Sequence, residues 1–288
     1  MIRFGPAGNA ESFAAMGYKS TPQIPEYLEK MGLSAYEYQC GRGVRINQES
    51  VLKLKSGCEK RDIRLSLHSP YYISLSGTEE EKRLGSIKYI LESAEAADLM
   101  GAERVVVHSG SCAKISREEA LSLAKDTLKR ALMALDEAHL GHIILCPEVM
   151  GKFNQLGTLE EVLELCRIDE RLLPCVDFGH LNARTLGSLK TKEDYEAALL
   201  MIKDRIGEDR MKRFHIHFSH IEYTANGGEK RHLTFEDTIY GPWFEPLAEV
   251  LFHHNSEPFI ICESAGTQAE DAAAMRDIYC RIAEEKRT

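Results

Sequence analysis

The chain has 288 residues, 43% of them hydrophobic and 28% charged, a balance suited to a globular protein with a sizeable core. A formal net charge of −9 argues against a simple basic surface that holds nucleic acid by charge alone. It leaves open an enzyme whose positive charge arrives with bound metal ions.

The 8 cysteines form no Cys-x-x-Cys pair, and Cys146, Cys175 and Cys262 lie in apolar runs, where a free thiol acts as a small hydrophobe. This pattern fits a reducing, intracellular setting. The segment from Met1 to Pro6 is no signal peptide, and no run approaches the roughly 20 apolar residues that cross a bilayer. A cytoplasmic protein without a membrane partner is expected. No sequence feature marks a protein partner, so a monomer is expected.

Short apolar runs alternate with helical patterns along the whole chain. Ile2 to Phe4 is the first run, and Pro22 to Met31 then shows helical spacing through Ile24, Tyr27, Leu28 and Met31. Ala35 to Tyr38 is the second, followed by a helix from Gln48 to Lys60. Ile63 to His68 is the third, and Thr78-x-x-Glu81 predicts a capping box opening a long helix that closes at Gly101. Arg104 to His108 is the fourth, with a helix from the Ser116-x-x-Glu119 box to His139. His142 to Glu148 is the fifth, with Thr158-x-x-Glu161 opening its helix. The sixth run ends at Asp177 and precedes a helix from Lys192 to Ile206. Arg213 to Phe218 and Pro258 to Glu263 are the seventh and eighth, and a helix from Gln268 closes the chain. Eight β-then-α units without a break in composition predict one (β/α)8 TIM barrel over residues 1–288. An open doubly wound sheet is the alternative, weakened because no Gly-x-Gly-x-x-Gly follows an early strand.

Chemistry-bearing residues close these runs. In order they are His68, His108, Glu148, Asp177 with His180, His217 and Glu263. Barrel active sites sit at the C-terminal face of the strands, so these donors converge on one rim. Each alone has a bland reading, such as a loop cap, a core histidine or a structural ion pair. Together they exceed the four ligands one zinc commonly takes, which implies at least two ions sharing a carboxylate. Without metal, the clustered carboxylates repel one another. His215 shares a strand face with His217, so one of the two may be only a neighbour.

These strings resemble the endonuclease IV family, zinc-dependent apurinic/apyrimidinic endonucleases of the xylose-isomerase-like barrel superfamily. The pieces are Leu67-His68-Ser69-Pro70-Tyr71, Val106-Val107-His108-Ser109-Gly110, Pro147-Glu148-x-x-Gly151, Asp177-Phe178-Gly179-His180, His217-Phe218-Ser219 and Cys262-Glu263-Ser264. The resemblance implies three zinc ions. His68 and His108 hold the first, Glu148 bridges to the second, and Asp177, His217 and Glu263 complete the second. His180 holds the third with an Asp-x-His pair after the seventh strand. Here the chain departs from the family: Lys230 stands two residues before His232, so Glu229 or the Lys230 ammonium is the stand-in, and two or three zinc ions follow, with manganese or magnesium as alternatives.

The implied reaction is cleavage of double-stranded DNA 5′ to an abasic site by a hydroxide that the ions bridge and activate, with Glu148, Asp177 and Glu263 as catalytic ligands. Tyr71 matches the family's minor-groove tyrosine, a wedge that kinks DNA. Arg42 and Arg45, after the second run, are candidates for phosphate contact. The rival is a single-ion sugar isomerase or epimerase of the same superfamily, for which Glu148, Asp177, His217 and Glu263 suffice. His68 and His108 separate the two, because a single-ion enzyme has little use for them. A metal-loaded binding protein without catalysis is the third class.

Overall fold

In a computed structural model describing residues 2–286, every one of the eight expected runs forms a strand. The barrel strands are β1 (Arg3–Pro6), β2 (Ala35–Gln39), β3 (Arg64–His68), β4 (Ala102–Val107), β5 (Ile144–Pro147), β6 (Cys175–Asp177), β7 (His215–Phe218) and β10 (Phe259–Cys262). Between β7 and β10 lies a hairpin, β8 (Ile221–Thr224) and β9 (Gly228–His232). Residues 1, 287 and 288 lie outside the described range, so the expectation of one domain over 1–288 extends beyond it at both ends.

The barrel strands pair in parallel as two arcs, β1-β10-β7-β6 and β2-β3-β4-β5. Parallel bridges join the arcs at both seams, Ala7 with Glu37 and Glu148 with Cys175. Gly8 N donates to Glu37 O at 2.9 Å and Val149 N to Cys175 O at 2.9 Å, so the sheet closes on itself. Closure decides between the two expected architectures in favour of the barrel. One face of each strand (Phe4, Leu65, Leu67, Val105, Val107, Ile216, Ile260) packs on the surrounding helices. The alternate residues point into the lumen, where Val106, Cys146 and Cys175 form a small buried cluster of their own.

The helices are α1 (Glu11–Ala15), α2 (Ile24–Met31), α3 (Gln48–Glu59), α4 (Glu80–Met100), α5 (Arg117–Glu137), α6 (Leu159–Cys166), α7 (Phe178–Arg184), α8 (Lys192–Ile206), α9 (Glu208–Arg213), α10 (Phe244–His253) and α11 (Gln268–Glu285). Four of them, α1, α7, α9 and α10, have no counterpart among the expected elements. The Thr158 box forms in full, with Thr158 Oγ1 accepting from Glu161 N at 3.2 Å and the Glu161 carboxylate accepting from Thr158 N at 2.9 Å. Ser116 accepts the Glu119 amide at 3.1 Å. The Thr78 box does not form: α4 begins at Glu80 behind Glu79, which makes no side-chain cap. Arg83 folds back onto the Gly77 and Thr78 carbonyls instead, and Lys82 takes the Glu79 carboxylate. Among the described residues no helix is long and apolar enough to cross a membrane.

The two threonines make a direct test. Thr158→Ala should cost about 1 kcal/mol in urea unfolding, the usual loss for an N-cap. Thr78→Ala should change stability by less than about 0.5 kcal/mol. Equal costs would mean that the box at Thr78 forms in solution.

Candidate metal centre

Strand ends explain why the donors meet. His68 and Asp177 are the last residues of β3 and β6, and His217 is the penultimate residue of β7. His108, Glu148 and Glu263 each follow directly after β4, β5 and β10. His68, His108, Glu148 and Glu263 line a cavity of about 330 Å3 together with His180, Gln39, Gly41, Tyr71, Met150, Lys152, Gln155, Glu229 and His232.

Glu148 is the hub. Its Oε2 lies 3.1 Å from His108 Nε2 and 3.6 Å from His68 Nε2, while Oε1 lies 3.0 Å from His217 Nδ1. His217 Nδ1 is also 3.5 Å from Glu263 Oε2. Burial would raise the Glu148 carboxyl, yet His108, His217 and His68 hold it well below the usual carboxylate range. Burial alone would lower His68, and Glu148 instead raises it to about 9.

Asp177 has two tasks. Its Oδ1 accepts the His180 amide at 2.8 Å, capping α7 in the way expected of a plain strand end. Its Oδ2 faces the cluster, 3.0 Å from His180 Nδ1. Burial favours a neutral carboxyl at Asp177, and His180 outweighs it and lowers the pKa. For His180, burial pulls the other way from Asp177, which wins and raises the ring to about 10. Burial raises Glu263 above the ordinary range.

Glu148 Oε2 and Asp177 Oδ2 are buried without a hydrogen-bond donor. An unsatisfied buried oxygen costs on the order of 1–3 kcal/mol, more when charged, so two aimed into one cavity fit divalent ions as their partners. Donor atoms of Glu148, Asp177, His217 and Glu263 all lie within 4.8 Å of one another, as do those of His68, Glu148 and His217, and those of His180, Glu229 and His232.

The last group comes from a register irregularity. Tyr223 pairs with Glu229 and Glu222 with Arg231, so Lys230 is the extra residue of a bulge in β9. Plain alternation would put Lys230 on the His232 side. The bulge places Glu229 there, with Oε2 3.4 Å from His180 Nε2. Lys230 is turned out to Glu222, which removes its ammonium from the third-ion volume. Gly151 makes room for this: a Cβ there would lie 2.6 Å from Glu229 Cβ and 2.9 Å from His180 Cδ2. Glu229 N donates to Gly151 O at 3.1 Å, docking the hairpin on the β5 loop. His232 Nδ1 meets Ser219 Oγ at 2.8 Å, leaving Nε2 for the cavity.

The expected DNA contacts lie at the rim. Tyr71 is 62% exposed beside Tyr72 at 42%, with ring centroids 5.7 Å apart. Arg42 and Arg45 are exposed on the loop after β2 and, unlike Tyr71, do not line the cavity. Sequence reading missed Glu37, Gln39, Lys152 and Gln155. The signal for Glu37 was a lone acid between two tyrosines on an otherwise apolar strand.

A model of the "Xylose isomerase-like TIM barrel" family matches residues 25–279. The chain belongs to this family. It is 33% identical to an uncharacterized protein of Methanocaldococcus jannaschii, over 92% of each chain. A probable endonuclease 4 of Aster yellows witches'-broom phytoplasma is 26% identical over 65% of this chain and 62% of its own length. Among solved structures, a D-tagatose 3-epimerase-like protein superposes with a TM-score of 0.75 at 21% identity, covering 100% of both chains. At that identity the likeness bears on the fold alone. A probable endonuclease 4 is thus among the chain's sequence relatives, and an epimerase-like protein is among the structures that share its fold.

Imidazoles must be neutral to ligate, so ion loading should expel protons. With His68 at about 9 and His180 at about 10, both rings are charged at pH 7.5. His217 is held above the ordinary range as well, so zinc titration should release about three protons per chain, and apparent affinity should climb with pH toward that range. Calorimetry in buffers of different ionisation enthalpy reads this directly; a heat independent of buffer would contradict it.

Proposed function

We propose that the protein is a metal-dependent phosphodiester hydrolase acting on DNA at abasic sites. The observation that carries this reading is the pair of imidazoles, His68 and His108, converging on the Glu148 oxygen at 3.6 and 3.1 Å beside a complete quartet of ligands. A single ion held by Glu148, Asp177, His217 and Glu263 leaves both unused. Together with Glu148 they would hold a second ion. His180, Glu229 and His232 are the proposed holders of a third.

Bound divalent ions supply Lewis acidity and neutralise charge on a phosphodiester. The protein's own part is to hold them and to shape the approach. Asp177 is fixed by its amide bond to α7, and Glu148 by the Val107 carbonyl that accepts its backbone N–H at 3.1 Å. Arg184 and Arg117 tie down the loop after β5 by its carbonyls, so Lys152 and Gln155 line the cavity from a braced segment. Lys152 is the one lysine or arginine lining it, suited to a substrate phosphate. Tyr71, exposed at the rim, would act as the wedge, and Arg42 and Arg45 on the loop after β2 would meet flanking phosphates.

The quartet itself favours a second reading, an isomerase or epimerase acting on a sugar with one divalent ion. A duplex oligonucleotide with one tetrahydrofuran residue separates them. The zinc-loaded protein should nick it 5′ to the lesion, and His108→Ala should lower the rate at least ~100-fold. Ketose epimerisation with one ion per chain, and no nick above the variant's background, would establish the second reading instead.

The third position has its own test by metal analysis. Glu229→Gln should lose about one zinc per chain, whereas Lys230→Ala should keep the wild-type count. The reverse result would return the position to Lys230.

A further inference from the structure

One layer below the donors, the lumen holds a fully buried carboxylate, Glu37 on β2, with no lysine or arginine beside it. Its Oε1 lies 3.1 Å from His217 Nε2 and its Oε2 lies 3.2 Å from His215 Nε2. Ser66 Oγ donates to Oε2 at 2.9 Å and Gln39 Nε2 donates to Oε1 at 3.1 Å. A buried charge is costly unless it is paired, and here the pairing is spent on two histidines of one strand.

The two faces of the His217 ring have different company. Nδ1 meets Glu148 and Glu263, the ligand side, while Nε2 meets Glu37 alone among carboxylates. With an ion on Nδ1 the neutral ring must carry its one proton on Nε2, and Glu37 Oε1 stands 3.1 Å from that nitrogen. His215, two residues earlier, points at the same carboxylate from beneath and reaches no other acid.

We propose that Glu37 is the positioning residue of the metal centre: it holds His217 in the Nε2–H tautomer, with Nδ1 turned to the ion shared by Glu148, Asp177 and Glu263. Ser66 and Gln39 fix the carboxylate, and His215 packs it from below. The proposal rests on the metal reading, which both candidate activities share, and is indifferent to which of them the protein performs. Groups of this kind behind a ligating histidine set its orientation and basicity, and their loss typically weakens metal binding about 10–100-fold.

The test combines zinc affinity, by competition with a chromophoric chelator, and nitrogen-15 NMR of histidine-labelled, zinc-loaded protein. Wild type should show His217 with zinc on Nδ1 and a slowly exchanging Nε2–H. Glu37→Leu should lose that protected proton and weaken zinc binding about 10–100-fold. Glu37→Gln, which keeps one acceptor oxygen, should fall between and serves if the leucine variant does not fold. Tyr195→Phe, which removes a buried hydrogen bond to Trp243 O and keeps the ring on Phe178, should leave both readouts unchanged. Glu37 variants with wild-type affinity and an unaltered His217 signal would overturn the positioning role while leaving the metal reading intact. A wild-type chain that binds no divalent ion would overturn both.

Discussion

Four carboxylates, Glu37, Glu148, Asp177 and Glu263, share the upper lumen of one barrel, and most of the centre's design follows from keeping them there. Burial opposes the charge on every one of them. Among the described residues no lysine or arginine forms an ion pair with them; the compensation is left to the raised imidazoles of His68, His180 and His217. An imidazole gives up its proton to an ion, which a guanidinium never does. The cluster is thus balanced by protons, which divalent ions would replace under the proposed reading. That exchange underlies the raised values at His68 and His180.

The barrel makes the arrangement affordable. Parallel strands of a closed sheet deliver one inward side chain each at a given level, so donors far apart in sequence arrive together without long loops. The two seams matter most, since each is a single bridge placed at a functional residue. Glu37 sits at one and Glu148 at the other. The backbone that closes the barrel is the same backbone that carries the central bridging acid and the acid behind His217. Strain or fraying at a seam would therefore reach the site directly.

Around this core the loops specialise the centre. The β5 loop is pinned by Arg117 and Arg184 and packed through Gly151 against the hairpin that brings Glu229. A third donor group is built by this docking and not by the barrel. A one-residue shift in this hairpin alters which side chain faces inward.

Much of this was legible in the chain itself. Eight apolar runs, six of them closing on a histidine or an acid, determined the barrel order and named seven donors, because strand alternation and strand ends are local properties. The same locality explains the misses. Whether Thr78 caps a helix depended on where Arg83 folds. The helix that Asp177 caps was invisible in a stretch read as a turn. Alternation put Lys230 beside His232, and only the pairing of β9 with β8 revealed the bulge that brings in Glu229 instead. Glu37 was a lone acid between tyrosines until closure set it against His217, a residue on the far side of the barrel in sequence. The sequence determined which side chains stand at the strand ends, since that is written in each strand's own pattern. The tertiary structure decided which of them touch, since contact across a closed sheet depends on register and on loops that fold only against one another.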